Sequence, residues 1–367
     1  MKNNYKKLLD NRLVYIDLLE CIAIFLVIVY HSTLYSFDFL KSSESRYYVV
    51  YFFRTILSTC VPLFFFANGY LLFNKNFDLK KHLIKIVKLI LLTGIWGIIS
   101  LLLLQKIKNE YFSIIEFLKA LWVWKLGWIN HLWFMGTLVC IYIFFPLLKQ
   151  VYDTSRKVFI YFTIVSFILT FGNTVINEMG TILLSLIIKE NYVFQGINFF
   201  NIFNPFKGIY GYSFVYFCLG GLMYTIKNRL ELVSVKKRNI VSVLGIFSSC
   251  LCLCIVGVCY SKLSGEIWDL VWNGYDTIFT FFNVIFIYCL CLNWKYNNKF
   301  IRTVSSNTLG IYFIHELIIK YTQPYIKEIN IFCNIPINII YAFFTMCLSL
   351  IICLIFRKIP IISKLVE

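Results

Sequence analysis

Long apolar runs separated by short polar loops make up most of the chain. A helix needs about 20 mainly apolar residues to cross a bilayer. The runs show no alternation over about ten residues, the pattern typical of barrel strands. We therefore predict an all-α integral membrane protein, a single bundle of about ten transmembrane helices, with one domain over residues 1–367 and its core at about 14–356. The predicted spans are residues 15–36, 51–73, 84–104, 131–148, 158–177, 209–226, 240–260, 276–293, 306–322 and 336–356.

Composition agrees with this class of protein. Hydrophobic residues make up 60% of the chain, charged residues 14%, and the mean hydropathy is +0.76. A formal net charge of +17 could suggest a nucleic-acid partner. The basic residues, however, lie in short loops between apolar runs, which is the positive-inside pattern of membrane proteins. We predict the lipid bilayer as a partner and no nucleic acid.

The loop charges also predict the orientation. An even number of spans puts both termini on one side, and the loops of that side carry about twice as many Lys and Arg as the opposite loops. Both termini are therefore expected in the cytoplasm. In this arrangement Lys237 faces the cytoplasm and Lys125 faces the exterior.

The thirteen cysteines do not indicate a metal site or a disulfide framework. Cys250, Cys252 and Cys254 lie on one apolar run, where cysteine acts as a small hydrophobic residue. Such spacing within one span suits neither zinc ligation nor disulfide pairing. Only Cys333 falls in a predicted outer loop.

The first apolar run carries Asp17, Glu20 and His31. A carboxylate in the middle of a membrane costs about 2.5–3.5 kcal/mol on insertion scales. Residues eleven positions apart lie on nearly the same helix face, so Glu20 and His31 share a polar stripe to which Asp17 is close. A single polar residue in such a span could be explained by contact with lipid headgroups or by a hydrogen bond to a neighbouring helix. A stripe of polar residues along one helix face favours a polar site inside the protein.

Three histidines approach the outer half of the predicted bundle: His31, His131 and His315. A buried neutral imidazole is a general-base candidate. The three come from separate helices with no i, i+4 pair, so we predict no metal. Glu316, next to His315, could orient another group or pair with Arg54.

Lys81, Lys85 and Lys88 follow an i, i+4, i+7 spacing near the predicted cytoplasmic end of a span. Three ammonium groups on one helix face could hold the phosphates of a cytosolic ligand. Lysines that reach from a helix end to the membrane surface would give the same pattern.

Two predicted outer loops are longer than a connection requires. In residues 105–130, apolar residues recur at helical spacing, which predicts an amphipathic helix in the outer interface. The aromatic residues of this helix could form an aromatic belt at the membrane surface or stack against a sugar. In residues 178–208, the run TILLSLII is too short to span and is expected to dip into the membrane or cap a cavity.

Five motifs give the chain a resemblance to the membrane acyltransferase-3 family of bacterial O-acyltransferases. They are YIDLLECIAIFLVIVYH ending in His31, VPLFFFANGYLL around Asn68-Gly69-Tyr70, HLWFMGTLVCIYIFFP from His131, FCLGG from Phe217, and LGIYFIH ending in His315. They occur in the family's order over roughly residues 14–356. The resemblance implies acyl-CoA, usually acetyl-CoA, as cytosolic donor, a glycan hydroxyl as acceptor, and an essential His31.

One position departs from the family pattern. Many members have an arginine eleven residues before the histidine, where this chain has Glu20. Either the chain belongs to a branch that uses an acid at this position, or the positive charge comes from elsewhere, such as Arg12, Lys85 or Arg302.

The leading hypothesis is an O-acetyltransferase of surface or cell-wall glycans in the bacterial plasma membrane, with both termini cytoplasmic. An exporter of polysaccharide or lipid-linked sugar is the alternative, and a sensor or scaffold the third. Candidate catalytic residues are His31, His315 and Glu316; candidate substrate-binding residues are Asp17, Glu20, Asn68, Tyr70, His131, Trp133 and Tyr312; candidate acyl-CoA-binding residues are Lys81, Lys85 and Lys88.

Overall fold

The structure is a computed structural model that describes residues 12–188, 210–328 and 334–366, except Ser43, Leu126 and Ile361. Helices joined by short connections form this part of the chain, with no strand among the described residues. The α-helices are α1 (Val14–His31), α2 (Ser45–Arg54), α3 (Cys60–Leu72), α4 (Leu79–Lys108), α5 (Ile114–Trp122), α6 (Trp133–Thr154), α7 (Arg156–Asn173), α8 (Gly180–Ile188), α9 (Tyr212–Leu232), α10 (Val235–Ser264), α11 (Ile278–Cys291), α12 (Lys299–Ser305), α13 (Thr308–Glu328) and α14 (Ile335–Phe356).

Seven helical segments among the described residues are long and apolar enough to cross a membrane, which confirms the all-α membrane class. Helices α9, α11 and α13 also coincide with predicted spans but are not among the seven, so the number ten stays a prediction. The seven are Val14–His31, Ser45–Leu72, Leu79–Lys108, Asn130–Thr154, Arg156–Ile188, Val235–Ser264 and Ile335–Phe356.

The expectation for TILLSLII is wrong. This run forms α8, which continues from α7 through a π-helical turn at Thr174–Met179, so that Arg156–Ile188 is one 33-residue segment. A π turn admits an extra residue without ending the helix. The polar stretch before Gly180 therefore marks a change of helical pitch and not a loop. Residues 189–208 of that predicted loop, and Cys333, lie outside the described residues.

The second span is interrupted just before Pro62. A 3₁₀ turn at Thr55–Thr59 separates α2 from α3, and Pro62 lies in the first turn of α3. Proline has no N–H and its ring crowds the carbonyl four residues earlier, so it is tolerated in a first turn. The helix geometry therefore changes within this predicted span.

Helix α1 lies in the middle of the bundle, in contact with α3, α11, α12, α13 and α14. Its inner residues Leu19, Ala23 and Ile24 are fully buried. By contrast, α4 and α10 expose rows of large apolar side chains, as expected for surfaces that face lipid. The polar stripe of α1 therefore faces other helices.

Helices α3 and α9 pack most extensively, because two glycines let their backbones touch. A Cβ added at Gly69 would lie 1.8 Å from the carbonyl oxygen of Phe217, and one at Gly220 would lie 2.1 Å from that of Phe66. Small residues at such crossings permit close approach of membrane helices. This contact fixes the position of α3, which carries Phe64 and Asn68.

The amphipathic helix expected within residues 105–130 is present as α5. A capping box joins Ser113 and Glu116 at its start. Ala120 is buried, whereas Trp122 is 89% exposed. Trp128 lies beyond the helix end and packs against Phe112.

Cysteines in the described part of the chain are free thiols.

Candidate active site

Packing of α1 against α13 joins His31 to two consecutive buried residues, His315 and Glu316. The Nδ1 atom of His31 lies 3.0 Å from Nε2 of His315 and 3.0 Å from Oε2 of Glu316. The two imidazole rings are stacked, with centroids 5.2 Å apart. His315 is 0% and Glu316 6% exposed, whereas His31 opens onto a cavity.

The hydrogen bonds assign the tautomer of His31. Nδ1 of His315 lies 3.2 Å from the carbonyl oxygen of Ile311, which can only accept, so this nitrogen carries the proton. In neutral His315 the other nitrogen, Nε2, is then an acceptor. Both neighbours of His31 Nδ1 are thus acceptor atoms, which places the proton on Nδ1 and leaves Nε2 of His31 as the basic atom.

Glu316 is charge-compensated by the next turn of its own helix. Its Oε1 lies 3.3 Å from Nζ of Lys320. The alternative in which Glu316 pairs with Arg54 is wrong, since Arg54 pairs instead with Asp269 at 3.6 Å. Glu316 is therefore free to orient His31 and to stabilise a positive charge on its ring.

His131 lies beside this group with both ring nitrogens buried and without a hydrogen-bond partner among the described residues. Its ring centroid is 6.2 Å from that of His315. The Tyr312 hydroxyl donates to the backbone carbonyl of His131 and so fixes the start of α6. Buried polar groups are normally satisfied, so the free nitrogens of His131 indicate a position where a ligand or water binds.

His31 opens onto a cavity of about 380 Å³, called here the His31 cavity. Aromatic side chains form much of its lining. Trp133 stacks on Tyr210 with centroids 4.4 Å apart and meets Trp272 edge-on at 5.2 Å. The polar and charged side chains in the lining are Tyr30, His31, Thr33, Arg54, Asn130, His131, Asp269, Tyr275, Tyr312, Glu316 and Lys320.

A second cavity of about 180 Å³, called here the Glu20 cavity, lies towards the other end of α1. Three of its polar side chains form a chain of hydrogen bonds. Lys85 Nζ donates to the Tyr142 hydroxyl at 3.1 Å, and that hydroxyl donates to Oδ1 of Asn68 at 2.7 Å. Glu20, Thr308 and Tyr312 complete the polar lining.

Three aromatic residues line both cavities: Phe64, Phe134 and Tyr312. The Phe134 ring centroid is 5.8 Å from that of Phe64 and 5.4 Å from that of Tyr312. We call this set the aromatic wall. It is the shared boundary of the two cavities, with His31 on one side and Glu20 on the other.

Two of the three predicted phosphate-binding lysines do not line either cavity. Lys81 is 85% exposed and pairs with Asp78 at 3.2 Å, and Lys88 is exposed on the outside of α4. The backbone N–H of Lys81 caps the helix by donating to Asp78, which lowers the pKa of that carboxyl. The i, i+4, i+7 spacing therefore does not place all three ammonium groups at one site.

Asp17 and Tyr70 also lie outside the two cavities. Asp17 accepts from Arg12 at 2.7 Å, and the Ser305 hydroxyl lies 2.8 Å from Asp17 and 2.6 Å from Glu20. The Arg12 charge thus compensates Asp17. Tyr70 is fully buried and shares a 2.8 Å hydrogen bond with the Tyr15 hydroxyl.

The side chains of His31, His315 and Glu316 could also hold a metal ion, because one ligand atom from each lies within 4.8 Å of the others. We predicted no metal because the histidines come from separate helices and form no i, i+4 pair. The packing of these helices brings the three side chains together. The carboxylate in the group already pairs with the Lys320 ammonium, and the His31–His315 contact has hydrogen-bond length.

Sequence reasoning missed several lining residues of the His31 cavity. Arg54 was visible as a charge within an apolar run, which is a usable signal for a buried ion pair. Asp269 and Trp272 lie in the connection between α10 and α11, and Lys320 follows Glu316 by one turn. The linear pattern does not show which connection folds over the cavity.

The fold and the site define a polytopic helical membrane protein with a histidine that lies beside a carboxylate and opens onto one of two adjoining cavities. The family described as Acyltransferase domain matches residues 13–358, nearly the whole chain. The chain belongs to this family, the acyltransferase-3 family, and is a membrane acyltransferase.

Comparison with curated proteins and comparison with solved structures each gave no significant match.

Proposed function

We propose that the protein is an O-acyltransferase of a bacterial plasma membrane that moves an acetyl group from cytosolic acetyl-CoA to a hydroxyl of a surface or cell-wall glycan. One observation carries the proposal: His31, with its basic Nε2 atom assigned by hydrogen bonds, opens onto one of two cavities that share the aromatic wall. Two substrates that arrive from opposite sides can meet in such an arrangement.

In the proposed reaction, His31 acts as general base. Nε2 removes the proton from the glycan hydroxyl, and the oxygen attacks the thioester carbonyl carbon. The carbon–sulfur bond then breaks, and the departing CoA sulfur takes the proton from the imidazolium. Glu316, 3.0 Å from Nδ1, stabilises the positive charge that His31 carries between these two proton transfers.

Donor binding is assigned to the Glu20 cavity. Lys85 follows the basic start of α4, the end predicted to face the cytoplasm, and its ammonium group reaches the cavity through Tyr142. An ammonium group there suits an acyl-CoA phosphate or the polar pantetheine arm. The thioester would pass the aromatic wall to reach His31.

The direct test uses membrane vesicles from cells with the intact gene and from a deletion strain, incubated with acetyl-CoA labelled in the acetyl group. We expect inverted vesicles, which expose the cytoplasmic face, to release CoA and label the glycan. Sealed right-side-out vesicles should do neither until they are permeabilised. Movement of unlabelled glycan across the membrane without CoA release would contradict the proposal and favour the exporter.

Lys85→Ala should raise the apparent KM for acetyl-CoA about tenfold with little change in kcat, because a hydrogen bond to a charged group is worth about 1.5–3 kcal/mol. Loss of ground-state binding appears in KM. Lys81→Ala and Lys88→Ala are the matched controls, since both side chains lie outside the cavity. An unchanged KM in Lys85→Ala, or equal increases in all three variants, would remove Lys85 from the donor site.

A further inference from the structure

Arg54 is a buried cation in the wall of the His31 cavity. Its side chain is 3% exposed and lies over the Phe37 ring, 3.9 Å from the centroid. Nη1 donates to Thr33 at 3.3 Å and Nη2 lies 3.6 Å from Asp269. The Nε atom has no hydrogen-bond partner among the described residues. A fixed guanidinium with a free N–H is a preorganised donor for a ligand in this cavity.

Asp269 provides an acceptor next to this donor. Tyr30 donates to its Oδ2 at 3.1 Å, and the backbone N–H of Val271 donates to its Oδ1 at 3.0 Å, so the carboxylate is held in place. The side chain is still 37% exposed. Carboxylate oxygens can accept more than one hydrogen bond each, which leaves capacity for a ligand. Trp272, three residues on, adds an aromatic face to the same cavity.

The charges in the cavity lining cancel. Arg54 is matched by Asp269, and Lys320 is matched by Glu316. A phosphate or carboxylate would find no surplus cation there, and burial of an unpaired charge is costly. A sugar hydroxyl, in contrast, can accept from Arg54 and a second hydroxyl can donate to Asp269. The lining combines aromatic side chains with polar groups, which in a small-ligand site fix orientation and specificity.

We propose that Arg54, Asp269 and Trp272 form the acceptor subsite and that it selects an uncharged sugar ring. This proposal rests on the proposed function, which supplies the reaction. The subsite holds the sugar ring so that a further hydroxyl of the same ring points towards His31. Tyr30 joins the two parts of the cavity: its hydroxyl holds Asp269, and its ring lies 5.3 Å from that of His31. The residues proposed to bind the sugar and the histidine that removes its proton therefore lie in one rigid wall of the His31 cavity.

The kinetic test compares Asp269→Asn with the wild-type protein on methyl glucoside, methyl N-acetylglucosaminide and methyl glucuronide, with acetyl-CoA as donor. The wild type should prefer the two neutral glycosides. Asp269→Asn removes the negative partner of Arg54, so the KM for neutral glycosides should rise about tenfold and the ratio of glucuronide to glucoside use should rise by at least as much. The KM for acetyl-CoA should not change.

Asp38→Asn is the matched control, because Asp38 is an aspartate paired with Lys41 outside the cavity lining. It should behave as wild type. A wild type that prefers the glucuronide, or an Asp269→Asn variant with unchanged acceptor preference, would overturn the subsite.

A binding measurement separates the subsite from the chemistry. Tryptophan fluorescence of the purified His31→Ala variant should change saturably with the neutral glycosides but not with the glucuronide, and the additional change Trp272→Phe should abolish the signal. Binding in this pattern without any acetyl transfer in the wild type would retain the subsite and reject the acetyltransferase. Acetyl transfer in the wild type with no selective binding in the variant would reject the subsite alone.

Discussion

His31→Ala lowers kcat for acyl transfer by about 10²–10⁴-fold, the usual contribution of a general base. The reason is geometric. Nε2 is the basic atom that opens onto the His31 cavity, and alanine leaves no group that can take the hydroxyl proton. Helix α1 keeps its apolar contacts in this variant, so the protein should still insert and bind acetyl-CoA. CoA release at matched membrane levels measures the effect.

His315→Ala and His131→Ala are the comparison. His315 accepts from His31 Nδ1, but Glu316 remains as a second acceptor, so the loss should be about tenfold, the worth of roughly one hydrogen bond. His131→Ala should act through substrate binding and therefore on KM. If His31→Ala keeps near wild-type turnover while His315→Ala abolishes it, the base lies on α13 and the assignment to α1 is wrong. Near wild-type acyl transfer in all three variants would mean that none of these histidines is the general base.

Gly220→Val should prevent recovery of folded protein. Even the first added carbon would lie 2.1 Å from the Phe66 carbonyl oxygen and 2.6 Å from the Tyr70 nitrogen, both backbone atoms that cannot turn aside. Overpacking a core by a methylene typically costs about 1–3 kcal/mol, and a backbone clash at the closest crossing of the bundle should reach the upper end or exceed it. Size-exclusion chromatography of the detergent-solubilised protein, with its melting temperature, reports the loss.

Gly94→Ala is the matched control for this prediction. A Cβ at Gly94 meets no atom within 4 Å, and alanine is favoured over glycine in a helix by about 0.5–1 kcal/mol. Its melting temperature should equal or exceed that of the wild type. A Gly220→Val variant with a wild-type melting temperature would mean that α3 and α9 do not cross as closely as described.

The sequence predicts the helices well because long apolar runs have few alternatives in a membrane. The sequence-based prediction fails where the helical pitch changes but the helix does not end. The run TILLSLII looks isolated because Asn177, Glu178 and Gly180 precede it, yet a π turn carries the helix through these residues. A hydropathy pattern shows where polar residues lie along the chain. It does not show whether a helix continues through them.

For the site, residues on one helix are easier to predict than their partners. The stripe on α1 places Glu20 and His31 on one face from helical geometry alone. The partner of His31 depends on how α13 is rotated against α1, which local spacing does not specify. The same limit explains the lysines of α4: their shared face is a correct local inference, but only Lys85 lies where a cavity opens.

The aromatic wall has a consequence for the energetics of the cell. An enzyme that takes a donor from the cytoplasm and an acceptor from outside needs openings on both faces, and an unobstructed path between them would let protons and ions run down the membrane potential. Phe64, Phe134 and Tyr312 stand between the two cavities with two large apolar rings and one tyrosine ring. A thioester arm that fills the opening as it passes would allow the reaction to cross this barrier while the membrane stays electrically sealed.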